Sequence, residues 1–65
     1  MCESNVYMLK NGKEELVLED VASIEPQGDS LLLRGVLGNP VEVKAKFHKL
    51  DLMAHKIVLI DESAG

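Results

Sequence analysis

Apolar and polar residues alternate with a period of two along most of this chain, and turn-forming residues interrupt the alternation at short intervals. Such a pattern predicts short, half-buried β-strands. "NVYMLK" at 5–10 and "EELVLED" at 14–20 flank Asn11-Gly12, a pair suited to the positive φ angles of a two-residue hairpin turn. "VASIEP" at 21–26 predicts a short strand that Pro26 either ends or confines to a sheet edge. Gly28-Asp29 marks the next turn and leads into "SLLLRGV" at 30–36.

"LGNP" supplies another turn, and "VEVKAKF" at 41–47 is the clearest strand. There Val41, Val43, Ala45 and Phe47 fall on one face, with Glu42, Lys44, Lys46 and His48 on the other. "HKLDLMA" at 48–54 reads as a connection with room for one helical turn. "KIVLI" at 56–60 is apolar on both faces, as in a strand covered on both sides, the second cover being another subunit. About six short strands at roughly ten-residue spacing predict an all-β fold, a small antiparallel barrel or sandwich. Residues 1–61 read as one domain and 62–65 as a loose polar tail.

Length sharpens this picture. A chain of 65 residues buries only roughly 60% of the surface it exposes when unfolded, so its core is marginal. Disulfides, a metal or a partner subunit commonly compensate. One cysteine cannot form an internal disulfide, which leaves metal, partner or very good packing. Tyr7 and Phe47 are the only aromatic residues, so Val, Leu and Ile must fill the core. No apolar run approaches the ~20 residues that span a bilayer, and no basic segment opens the chain as in a signal peptide. With a lone free thiol, this predicts a soluble cytoplasmic protein.

Charge and chemistry narrow the function classes. A net charge of −4 argues against broad phosphate-backbone binding. A local basic stripe remains, of Lys44, Lys46, His48 and Lys49 with Arg34, as in a small RNA-binding barrel. Such barrels add aromatic stacking platforms, and alternation turns Phe47 to the core, leaving only Tyr7. A solvated strand face accounts for the same lysines. His48 and His55 fit no triad or metal-helix spacing, and Gly35 and Gly38 lack the residues of a phosphate loop. An enzyme is not expected.

Cys2 is the sharper candidate. Removal of Met1, favoured by a small second residue, leaves thiol and α-amine on one residue, where they close a five-membered chelate ring. Their unperturbed pKa values are about 8.5 and 7.7–8.0, so a divalent ion displaces both protons near neutrality. The amides of Glu3 and Ser4 are the next nitrogen donors along the chain. Nitrogen–sulfur sets of square-planar or tetragonal geometry suit Ni(II) and Cu(II), and a reducing cytosol holds copper as Cu(I), which favours nickel. A two-fold dimer joining both amino termini supplies two thiolates and two nitrogens. The plain alternative is an incidental thiol at a frayed end.

"MCESNVYMLKNGKEELVLEDVASIEPQGDSLLL" followed by "VKAKFHKLDLMAHKIVL" resembles the CooT family of small nickel-binding accessory proteins of carbon monoxide dehydrogenase maturation, some of them labelled RNA-binding. The resemblance covers about residues 1–61. Its most specific parts are the Met-Cys start, "EDVASIEP" and the "LDL…HKI.L" ending. It implies a homodimer of Sm-like or SH3-like β-barrels that holds or delivers Ni(II) through Cys2, a metallochaperone serving a nickel enzyme. The Met-Cys start also resembles hydrogenase maturation chaperones of the HypC type, but their glycine- and proline-rich continuation is missing.

Overall fold

The computed structural model describes residues 4–61, so Cys2, Glu3 and the 62–65 tail lie outside the described residues. The described chain is built of strands and turns without a helix, as the alternation predicts. Seven strands form: β1 (Asn5–Lys10), β2 (Lys13–Leu18), β3 (Val21–Gln27), β4 (Ser30–Gly35), β5 (Val41–Val43), β6 (Ala45–Asp51) and β7 (Lys56–Asp61). They divide between a four-stranded sheet in the order β2-β1-β7-β6 and a three-stranded sheet in the order β3-β4-β5. Neighbours are antiparallel except for β1 and β7, which run parallel through Asn5↔Lys56, Val6↔Ile57, Tyr7↔Val58, Met8↔Leu59 and Leu9↔Ile60. The expected antiparallel barrel or sandwich is thus a pair of sheets that includes one parallel pairing, of the first and last strands.

Local chemistry explains the early elements. Asn11 (φ 52°) and Gly12 (φ 77°) both adopt positive φ, the backbone of a tight hairpin turn whose twist suits the strands. Pro26 lies inside β3, where a missing N–H is tolerated because β3 is an edge strand.

The strand expected at 41–47 is instead two strands in different sheets. Val43 pairs with Leu31 in the smaller sheet, while Ala45 pairs with Asp61 in the larger one. Lys44 carries the chain across, as at sandwich corners where a strand switches sheets at a bend. The segment 48–51, expected as connection, continues β6, and the turn is confined to 52–55. A bulge between Phe47 and Lys49 hides this from pattern reading: His48 is the extra residue, and the face assignment slips by one after it. Asp51 Oδ1 accepts a 3.1 Å bond from the Ala54 amide and shapes the turn.

The core lies between the sheets. Val6, Met8, Ala45 and Leu59 of the larger sheet meet Leu31 and Leu33 of the smaller, with Val17, Leu18, Val21, Ile24, Val43 and Ile57 packed around them. No aromatic side chain belongs to this cluster. Phe47, expected inside, is 49% exposed: it shares a face with Leu59, but on the edge strand β6 the smaller sheet does not cover it.

Leu33 is fully buried at the centre, and its truncation to Ala should lower stability by about 2–5 kcal/mol. Leu37, 88% exposed, should tolerate the same change within about 0.5 kcal/mol. Urea denaturation of the two variants beside wild type measures both.

Candidate functional site at the amino-terminal end

The strand registers gather one end of the molecule. Asn5 opposes Lys56, Asp51 opposes Lys56 and Val21 opposes Gly35, so the start of β1, the 52–55 turn, the β2–β3 corner and the 36–40 loop all lie there. Three further contacts tie the chain down at this end. Val21 N–H donates to the Ser4 carbonyl at 2.8 Å, and Asn5 N–H donates to the His55 carbonyl at 3.1 Å. The Asn5 side-chain oxygen accepts from Asp20 N–H at 3.1 Å. Asp20 in turn accepts from Val36 N–H at 2.9 Å, which joins the 36–40 loop to the corner. Asp20 and His55 reach these positions with φ of 53°, left-handed backbone set by the turns they occupy.

The point where the described chain begins is therefore fixed to three elements. Ser4, the one expected donor within the described residues, is half-buried in this clamp. Sequence reasoning pointed to Cys2 but gave no sign of the clamp, which depends on Asn5, Asp20 and His55 meeting across the fold. Among the described residues no group of three or more His, Cys, Asp or Glu is placed to hold a metal. His48 lies at the bulge and His55 in the turn beyond it, on different parts of one hairpin.

The outer face of the four-stranded sheet carries the other candidates. Lys46 opposes Ile60 and Lys49 opposes Val58, so the bulge keeps both lysines on this face although they are three apart. Lys44 lies outside both β5 and β6, at the switch between sheets. Lys49 Nζ lies 3.9 Å from an Asp51 oxygen. The remainder of the face is apolar: Val58 is 1% exposed, Tyr7, Leu9 and Ile60 are half-buried, and Leu16 is 51% exposed. The Lys56 ammonium sits 4.9 Å from the Tyr7 ring centroid and reaches across to pair with Glu14. The bond to Glu14 holds the Lys56 pKa above its ordinary 10.5.

Two small sheets of short strands around an aliphatic core, with the start of β1 clamped by hydrogen bonds, define a small all-β protein. The CooT family, described as CO dehydrogenase accessory protein CooT, matches residues 1–60, and this chain belongs to it. An uncharacterized protein of Methanocaldococcus jannaschii is 37% identical over 59 residues, covering 91% of this chain and 96% of its own. The crystal structure of a protein described as CooT from Carboxydothermus hydrogenoformans superposes with a TM-score of 0.85 at 38% identity, covering 94% of this chain and 98% of that one. The family is one of accessory proteins rather than catalysts, and no described helix is long and apolar enough to cross a membrane.

Asn5→Ala should speed hydrogen exchange at the Asp20 and Val21 amides and lower stability by about 1 kcal/mol, read by exchange mass spectrometry and urea titration. Lys56 has a raised folded-state pKa, so its contribution is complete below the unfolded value of 10.5 and fades as pH climbs through the higher folded value. Denaturation of wild type and Lys56→Met should accordingly differ by a constant gap up to about pH 10, narrowing above 10.5.

Proposed function

We propose that this protein is a cytoplasmic, non-catalytic accessory protein that holds or delivers Ni(II) through its amino-terminal cysteine for maturation of carbon monoxide dehydrogenase. Residues 1–61 act as the unit and 62–65 as a tail. Membership of a family of carbon monoxide dehydrogenase accessory proteins carries the reading. The clamp at Ser4 and Asn5 supports it, because donors next to a fixed backbone lose less freedom on closing round a metal than donors on a free tail.

The donor set suits the ion. The Cys2 thiolate with the α-amine, or with the Glu3 and Ser4 amides, forms the nitrogen–sulfur set that Ni(II) accepts in a square plane. The described residues offer no competing cluster. A second copy supplies a second thiolate. Pairing through the apolar outer face of Leu16, Leu9 and Ile60, about a two-fold axis along the strands, sets both amino-terminal ends on the same side with the sheets about 10 Å apart.

RNA binding through Lys44, Lys46 and Lys49 has weaker support. Lys44 lies outside the strand that carries the other two, Asp51 faces Lys49, and the Lys56 ammonium, paired with Glu14, sits over the Tyr7 ring.

Nickel titration followed by calorimetry and by thiolate-to-nickel charge-transfer absorption tests the reading. Loss of a merely supporting group costs about 10–100-fold in metal affinity, so Cys2→Ser should cost at least that and abolish the absorption band. Full affinity in the variant refutes the assignment. RNA binding that is salt-sensitive and indifferent to Cys2 supports the alternative.

A further inference from the structure

The three asparagines, Asn5, Asn11 and Asn39, are unequally open to attack by the backbone nitrogen that follows each of them. In that reaction the nitrogen of the next residue adds to the side-chain amide carbon and expels ammonia, closing a five-membered succinimide. Water then opens the ring at either carbonyl, giving aspartate or isoaspartate. Asn39 precedes Pro40, whose nitrogen has no proton to lose. Asn5 precedes Val6, which is fully buried and branched at Cβ, and the Asn5 side-chain oxygen accepts from the Asp20 amide at 3.1 Å. Asn11 precedes Gly12, and both are exposed at the β1–β2 turn. A Cβ at Gly12 would meet no described atom within 4 Å, so the nitrogen beside it is unobstructed.

We infer that Asn11 is a self-modification site, at which the Gly12 nitrogen displaces ammonia and leaves a carboxylate at the hairpin tip. Two features of the tip favour the reaction. Lys10 and Lys13 are the closing pair of the hairpin, and like charges directly opposite one another destabilise a cross-strand pair. The same two ammonium groups favour the anion formed when hydroxide takes the Gly12 amide proton, and the carboxylate that replaces the neutral amide. One feature opposes it. At φ 52° the Asn11 backbone is left-handed, which turns the Gly12 nitrogen away from the Asn11 side chain. Ring closure therefore proceeds through brief opening of the turn, and exposed turns open locally with little free energy. The two products differ in what they do to the fold. Asp-Gly suits the same tight turn as Asn-Gly, whereas isoaspartate adds a methylene to the backbone of a two-residue loop. The tip is at the end of β1 remote from Ser4, so the change stays clear of the clamp.

The test incubates the full chain at mildly alkaline pH, folded and in guanidinium chloride, and follows each asparagine by peptide mapping. Isoaspartate is counted separately by methyl transfer from S-adenosylmethionine with purified isoaspartyl methyltransferase. In the folded protein Asn11 should be modified first, with Asn5 and Asn39 intact. Unfolding should speed the reaction at Asn11 severalfold, because the left-handed backbone is released. Gly12→Val, compared with wild type in denaturant so that folding plays no part, should slow it at least severalfold. Hydrogen exchange at the Lys10 and Lys13 amides should quicken in the isoaspartate fraction and stay unchanged in Asn11→Asp. Modification of Asn5 or Asn39 ahead of Asn11 overturns the inference, as does an Asn11 that stays intact in the folded protein. Equal rates in Gly12→Val and wild type overturn it too, by removing the Gly12 nitrogen as the attacking group.

Discussion

The parallel pairing of β1 with β7 is the constraint on which the rest depends. Both strands are central in the larger sheet, and they supply Val6, Met8, Ile57 and Leu59 to the core. Their register brings residues some fifty positions apart into direct contact, with everything between acting as the crossover that a parallel pair requires. A slip of one residue would turn Tyr7 and Leu9 inward and Val6 and Met8 outward, so core burial and register enforce one another. The bond from Asn5 to the His55 carbonyl fixes the first rung, and the same bond holds the start of the chain against the last turn.

From that pairing the two unlike ends follow. Each strand beginning or ending near Asn5 delivers its loop to the same side, and those loops hold the exposed Val, Leu and Met side chains. Hairpin turns at the far side place Asn11, Gly12 and Gly28 at positive φ, because tight reversals need that backbone more than they need apolar mass. Turns of two residues leave no space for projecting hydrophobic groups. The loops of 36–40 and 52–55 are longer, and their apolar residues therefore answer to something other than local geometry.

Much of this was legible in the chain before the fold was known. Asn11-Gly12, Pro26 and the alternation in "NVYMLK" each have a local physical cause, and each appears where that cause predicts. "VEVKAKF" misled because alternation records which residues are apolar, not which sheet they join; nothing in Val43-Lys44-Ala45 announces a change of partner. The bulge at His48 concealed the rest of β6 for the same reason, since one unpaired residue inverts the parity of those after it. Position and chemistry alone singled out Cys2 as the candidate donor. The clamp at Ser4 and Asn5 was not legible, because Asn5, Asp20, Val21 and His55 are scattered in sequence and meet only through the fold.

One side of the larger sheet still requires an account. A chain of 65 residues has strands enough to cover one face of a four-stranded sheet, and β3-β4-β5 do so. On the other face Val58 is nevertheless 1% exposed, although the core cluster lies on the opposite side of the strand. Tyr7 and Lys49 stand on either side of it, and the Lys56 ammonium sits over the Tyr7 ring and pairs with Glu14. This cover is thin and stops at Leu16, Leu9 and Ile60. A second copy lying on those residues with its strands alongside would complete the cover without touching either end of the sheet. The apolar outer face and the clamped end of the larger sheet are thus separate surfaces of the described fold.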